Sequence, residues 1–285
     1  MPTIFVATAL VSLFALASPS RAGDEPSAAA LPEPKAFLHE VRDRLHTDDF
    51  LLEQYTFNEK QTERRLDAQG NVKKIISSSY EVYPSAEPGH TYRKLVEKNG
   101  VPLTPEELAR EDRKQEKKEA RATRTAAQEA ERQRKENEAI DDIFRVYDFR
   151  MVRRETLKGR SAILLAFRPR PEVKPATKGG KIFRKFSGKA WIDEEDRQLV
   201  RVEAEMVDDL SIGLGVLAKL KKGTRAQFQR QKVNGEIWLP SEARFVGHAR
   251  VLLVKGVHVD SLSEYSDYKK FTIATEAAAK PEPLK

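Results

Sequence analysis

From Phe183 to Phe271 apolar and polar side chains alternate through run after run. Phe186, Gly188, Ala190 and Ile192 share one side of an extended chain, and Val200, Val202, Ala204 and Met206 share one side of the next. Period-two alternation marks strands with one dry and one wet face. The acidic turn Glu194-Glu195-Asp196 joins those two runs, and Asn234-Gly235 joins the next pair. Asn-Gly tolerates positive φ at both centres of a type I′ hairpin, so the stretch predicts an antiparallel meander. Between Asp208 and Gly223 the period changes. Leu210, Leu214, Leu217 and Leu220 form a seam at helical spacing, widened by Ile212 and Val216. Asp208 or Asp209 is placed to cap this helix, Gly223 to close it, and Lys219, Lys221 and Lys222 to favour its C-terminus. Gly213 and Gly215 inside it cost roughly 1 kcal/mol each relative to Ala. Two uses fit that cost: a lid that must deform over a cavity, or close backbone packing on the sheet.

The first half of the chain is less regular. Phe37, Leu38, Val41 and Leu45 share a helix face. Phe50 to Asp67 alternates loosely, with Leu52, Tyr55 and Phe57 as inward candidates. Returning strands are expected over Lys73 to Tyr83 and His90 to Lys98, the last closed by Asn99-Gly100. Thr104-Pro105-Glu106-Glu107 is a helix start, with Thr104 as cap and a Glu three residues on to complete a capping box. That helix is expected to run to about Ala139. It carries balanced charge and no apolar stripe, which predicts a solvated, projecting insertion over 104–139. Strands resume over Arg145 to Leu157 and Ser161 to Arg168, followed by a Pro-, Lys- and Gly-rich loop from Pro169 to Lys181 expected to be mobile.

Ile4 to Ala17 is a short apolar run ending in Ser18-Pro19-Ser20-Arg21-Ala22, with small residues where a signal peptidase reads. Residues 1–22 are expected to be a signal peptide, 23–34 a flexible spacer, 35–275 one domain and 276–285 a disordered tail. No second segment is long and apolar enough to span a bilayer. A soluble periplasmic or secreted product is expected. The chain has no Cys, which excludes disulfides, a lipid anchor on Cys and Cys-based metal sites.

The charge of +7 is unevenly placed. Arg145 to Lys189 holds fourteen Lys or Arg against three acids, a stripe suited to an anionic membrane surface or simply to the wet faces of strands. Nucleic acid is not expected, because no aromatic-basic motif accompanies the charge. The five His residues never fall in a metal-ligand spacing, no Ser sits in a nucleophile elbow, and Gly213-Leu214-Gly215 is a lone fragment of a phosphate loop. His258 and Asp260 point to one side of a strand, a spacing that fits either a pair or an ordinary strand-surface hydrogen bond. Neither a cofactor nor an enzyme is expected.

Lys189-Ala190-Trp191-Ile192-Asp193, an acidic turn, then Leu199-Val200-Arg201-Val202-Glu203 resembles the hairpin of lipoprotein-sorting-like proteins of the LolA/LolB superfamily. Gly235-Glu236-Ile237-Trp238-Leu239-Pro240 and the closing strand Tyr265 to Phe271 are also similar. The resemblance spans roughly 36–100 and 145–271 and departs at the charged insertion. It implies an α+β fold: a curved antiparallel sheet forming an incomplete β-barrel around an apolar cavity, with a helical plug or lid. The implied function is carriage of lipid or of lipoprotein acyl chains without covalent chemistry. The alternative is an envelope protein-interaction or stress-sensor module using 104–139 as its contact arm. Cavity candidates, each equally suited to ordinary core, are Phe149, Met151, Leu165, Trp191, Val202, Leu214, Leu217 and Phe228. The leader gives a direct test. N-terminal sequencing of the envelope fraction should find mature protein beginning at Gly23, and an intact Met1 in the cytoplasm would refute export.

Overall fold

The computed structural model describes residues 30–52, 54–67, 69–84, 91–119, 126–212, 218–251 and 255–270. The expected leader, most of the spacer and the tail lie outside these residues. Helix α1 (Pro34–Leu52) leads into a meander of β1 (Tyr55–Leu66), β2 (Val72–Pro84), β3 (Thr91–Lys98) and the short β4 (Val101–Pro102). Helices α2 (Pro105–Glu119) and α3 (Ala126–Val146) follow, then β5 (Tyr147–Leu157), β6 (Arg160–Pro169) and the single turn α4 (Lys178–Phe183). The second meander comprises β7 (Phe186–Asp193), β8 (Leu199–Met206), β9 (Leu210–Ile212), β10 (Ala218–Leu220), β11 (Arg225–Val233), β12 (Ile237–Val251) and β13 (Lys255–Lys270).

Eleven strands form one path, β4-β3-β2-β1-β13-β12-β11-β8-β7-β6-β5. Every pairing is antiparallel, and β4 and β5 are unjoined edges, so the sheet is an incomplete barrel. The tight turns follow the residues that permit them. Asn99-Gly100, Lys158-Gly159 and Asn234-Gly235 each hold positive φ at both positions, as type I′ hairpins require. At Gly188 a Cβ would lie 1.9 Å from the Glu203 carbonyl oxygen, so only glycine lets β7 and β8 approach there.

Three helices cover one side of the β5–β8 and β11 half. Phe37 and Val41 of α1, Ile143, Phe144 and Val146 of α3, and Ile182 and Phe183 of α4 pack with Ile163, Leu165, Phe186, Ile192 and Met206. The chain leaves α3 directly into β5 at Val146-Tyr147, both buried. The capping box at Thr104 forms as expected: the Thr104 amide donates to Glu107 at 2.9 Å, and the Glu107 amide donates to the Thr104 hydroxyl at 3.3 Å. The projecting helix is revised in one respect. α3 does not end near Ala139 but continues through Asp142 to Val146, so its last turns are core. Residues 120–125, between α2 and α3, lie outside the described set.

The helix expected between Asp208 and Gly223 is overturned at both ends. Leu210–Ile212 and Ala218–Leu220 are strands that pair with each other, and β10 also pairs with β12 through Ala218↔Val251 and Leu220↔Ala249. Two interior Gly residues weaken the helix, while the end of β12 offers backbone groups that need partners. Asp209 caps no helix. It accepts from the Lys222 amide at 2.8 Å and the Lys221 ammonium at 2.9 Å, clamping the feet of the hairpin. Residues 213–217 lie outside the described set.

The Pro-rich loop expected to be mobile is held by one carboxylate. Asp142, 0% exposed, accepts from the Ala176 amide at 3.1 Å, the Thr177 amide at 2.7 Å and the Thr177 hydroxyl at 2.8 Å. Burial pushes its pKa up, but those donors and the nearby Arg145 cation outweigh burial and hold it below the ordinary Asp value. A Cβ on Gly180 would sit 2.1 Å from the same carboxylate. Because the folded pKa is depressed, this stabilisation is complete above the unfolded value of about 3.9 and is lost as pH falls through the folded one. Asp142→Asn would turn an amide NH₂ toward donors, and a loss of roughly 2–3 kcal/mol at neutral pH is expected. Urea melts of wild type and variant from neutral to strongly acid pH measure this. A gap that stays constant down to the lowest pH would contradict it.

Candidate functional site

The register defines what shares the helix-covered face. Met151 lies opposite Leu165, Leu165 opposite Ala190, Ala190 opposite Val202 and Val202 opposite Phe228. The same row continues from Phe228 to Ala243, Ser263, Gln61 and Ser78. A parallel row runs Phe149, Phe167, Gly188, Ala204, Ala226, Phe245, Ser261, Glu63 and Ile76. Residues directly opposite in an antiparallel pair project to one face. The inner face is therefore apolar over β5 to β12 and largely polar over β13 to β2.

On the apolar side, Phe144, Tyr147, Phe149 and Phe167 form an aromatic group with centroids 4.9–6.4 Å apart. Gly188, Ala190, Ala204 and Ala226 put small residues side by side on this face, and Ala190, Ala204 and Ala226 share one buried cluster with Phe37 and Val41 of α1 and Val146 of α3. Helix α1 is also tied at its polar side. Arg42 donates to Asp141 at 2.8 Å, Arg197 donates to Glu40 at 2.7 Å, and the Arg197 guanidinium lies 5.0 Å from the Phe37 ring.

The polar side has its own order. Buried Glu59 accepts from Arg93 at 2.8 Å, and the Arg93 guanidinium stacks 4.1 Å from the Tyr80 ring. Glu59 lies opposite both Tyr265 and Tyr80. Burial, reinforced by the Glu59 carboxylate, pushes the Tyr265 hydroxyl up to about 12, so it stays a neutral donor at physiological pH. Gln61 and Ser263 continue this surface toward Ala243.

Of the residues expected to line a cavity, Phe149, Met151, Leu165 and Val202 belong to the helix-packed cluster. Phe228 is half-buried on the same row, between Val202 and Ala243. Leu214 and Leu217 fall outside the described residues. Trp191 is on the opposite face and is corrected here. It packs with Ala162 and Leu164, donates from its indole to Glu155 at 2.6 Å, and lies 5.0 Å under the Arg201 guanidinium. Its position between Ala190 and Ile192 requires this.

Sequence reasoning missed the polar half of the inner face. Its signal was present in β1, where Tyr55 and Phe57 are followed in the same phase by Glu59, Gln61 and Glu63. It also missed an ionic lock at the β7–β8 turn. Arg160 grips the buried Asp193 at 2.6 and 2.8 Å, and Asp196 accepts from Lys232 and from the Trp238 indole, each at 2.7 Å. Arg154 holds Glu194 through two contacts of 2.6 Å. These acids already have cationic partners, so the turn is a structural clamp. Of the two readings open for His258 and Asp260, a mutual pair is not the one formed. Asp260 binds Arg244 at 3.0 Å and Arg64 at 3.3 Å, while His258 meets His248 across the β12–β13 ladder.

No protein-family model matches the chain, and no curated protein matches it. Solved structures do. A domain described as outer membrane lipoprotein-sorting, from Vibrio parahaemolyticus, shares 10% identity over 84% of this chain and 94% of that one, with a TM-score of 0.32. A DUF1329 family protein from Desulfovibrio piger shares 13% identity over 86% and 96% of the two chains, with a TM-score of 0.30. A LolA superfamily protein from Nitrosomonas europaea shares 11% identity over 86% and 97%, with a TM-score of 0.29. At such identities and TM-scores these likenesses bring no ligand, partner or activity to this chain. The chain is similar to LolA-superfamily structures, as the Trp191-Ile192-Asp193 hairpin led us to expect.

Proposed function

We propose that this is an exported binding protein that holds an amphipathic lipid, or the acyl chain of a lipid-modified partner, on the inner face of its open sheet. It performs no covalent chemistry in this proposal. One observation carries it: the inner row passes without a break from Met151, Leu165, Ala190, Val202, Phe228 and Ala243 to Ser263, Gln61 and Ser78. An apolar track that turns polar along one line matches a chain with a polar head. A solid core alone needs no such gradient.

Helix α1 is the natural competitor for the track. Phe37, Leu38, Val41 and Leu45 all pack on the apolar half. Burying such side chains stabilises by about 1.5–3 kcal/mol each, so four supply at most roughly 6–12 kcal/mol. An acyl chain gains ~0.8 kcal/mol per buried CH₂, which reaches the same range for a dozen carbons before ordering costs. Helix and ligand are therefore exchangeable occupants on energetic grounds.

A fluorescent fatty-acid titration tests this. Wild type should bind saturably, Val202→Asp should weaken binding at least roughly tenfold, and Phe37→Ala should strengthen it severalfold by loosening the competing helix. Melting curves accompany each variant, and the gain in Phe37→Ala separates ligand competition from simple damage. No saturable binding by wild type would end the proposal.

A second proposal, a protein-interaction module, is favoured by how α2 is docked. Asp112 accepts from Lys94 at 3.0 Å and Tyr92 at 3.1 Å, which seats α2 on β3 and leaves Arg110, Arg113, Glu116 and Lys117 exposed. Replacing 108–135 with a short Gly/Ser linker should lower the melting temperature only slightly and abolish capture of a specific envelope protein. Retained capture, or insoluble protein, would speak against α2 as a contact arm.

A further inference from the structure

We propose that the segment 170–181 and α4 form a rigid cationic platform that docks on the surface of an anionic lipid bilayer. Residues 168–189 contain eight Lys or Arg and one acid, Glu172, a net charge of +7. Three of these cations have nearby partners: Arg168 bridges to Asp148, Lys185 to Asp208, and Arg184 donates to the Val173 carbonyl. Among the described residues no carboxylate pairs with Arg170, Lys174, Lys178 or Lys181, and the three lysines are exposed.

The platform is held from beneath. Asp142 binds Ala176 and Thr177, the Arg170 amide donates to the Val146 carbonyl at 2.7 Å, and the Thr177 hydroxyl caps α4 by accepting from the Gly180 amide at 2.9 Å. Ile182 and Phe183 anchor the other side of α4 in the apolar cluster. The backbone that carries the lysines is thus ordered before any partner arrives, which removes much of the entropic cost of docking.

The choice of occupant follows from what the patch lacks. Among the described residues the exposed large apolar side chains are Leu31, Val72, Ile75, Val101 and Val207, none of them in the segment. Tight protein interfaces concentrate energy in aromatic and Arg anchors seated in dry pockets. Within 170–183 the exposed cations, Lys174, Lys178 and Lys181, are all lysines, hydrated point charges suited to a fluid field of phosphates. Docking would bring the bilayer beside Ile182 and Phe183, at the margin of the apolar track. The inference adds to the lipid proposal but does not depend on it, since membrane contact and acyl binding are measured separately.

The experiment is co-sedimentation of the mature chain with phosphatidylcholine vesicles, with and without phosphatidylglycerol, at low and high salt. Wild type should bind only the phosphatidylglycerol vesicles and release them at high salt. Lys174→Glu/Lys178→Glu/Lys181→Glu should lose at least roughly 100-fold in partitioning, given the usual contribution of each cation near such a surface. The neutral triple variant to Gln should lose less, with an unchanged melting temperature, which guards against misfolding of the acidic one. The matched variant Lys60→Glu/Lys73→Glu/Lys74→Glu, away from the platform, should bind as wild type does. The proposal is overturned if wild type ignores anionic vesicles or the platform variants still bind them. It is equally overturned if the matched variant loses as much, or if polyglutamate is bound while vesicles are not.

Discussion

A sheet that bends without closing leaves one broad apolar surface facing its own hollow, and water cannot be allowed to stay there. The helices sit where they do because of that constraint. α1, α3 and α4 lie over the β5–β8 and β11 half because that half carries Ile163, Leu165, Phe186, Ile192 and Met206. The β13–β2 half presents Glu59, Gln61 and Ser263 and makes its own polar contacts instead. The division of the inner face thus decides where cover is needed. It also places the boundary between the two halves at the site argued for an amphipathic ligand.

The charged groups act mainly as joints between these layers. Asp142 fastens the loop before α4 to α3, Arg42–Asp141 joins α1 to α3, and Arg197–Glu40 joins α1 to the β7–β8 turn. The Arg160–Asp193 and Lys232–Asp196 contacts then tie that turn to β6 and β11. Of these carboxylates Asp142 and Asp193 are buried, where an unpaired charge is costly and removing one partner is more damaging than the pair is stabilising. Exposed pairs along α3, such as Arg134 with Glu138, contribute far less.

Strand phase was the most legible property, because alternation in β7 and β8 reports directly which residues share a face. The turns were legible for the same local reason: Asn99-Gly100 and Asn234-Gly235 adopt the positive φ that their side chains tolerate. The Leu210–Leu220 seam misled. Leucine at helical spacing is a weak preference that two glycines and the available end of β12 overrode. Trp191 misled for another reason, since its bulk suggested burial in the hollow while its phase put it outside. The polar half of the inner face was hidden because phase says which side chains share a surface, not what lies above them. Long-range joints such as Asp142 with Thr177 leave no local signature at all.

The pairing of β1 with β13 puts Tyr55 opposite Lys270, so among the described strands the first is completed by the last. Every other link in the path except β8–β11 joins strands consecutive in the chain. The first meander, β1 to β4, and the block from β5 to β12 can each assemble from neighbouring segments. They become one sheet only when β13 arrives to bridge them. Closing so long a loop is slow compared with forming hairpins. Until then β1 and β12 both present open hydrogen-bonding edges, a state in which strands pair with the wrong neighbour. A chain that emerges from its N-terminus onward stays in that half-built condition until β13 has emerged. The final sixteen-residue strand is thus the keystone of assembly as well as the closing strand of the sheet.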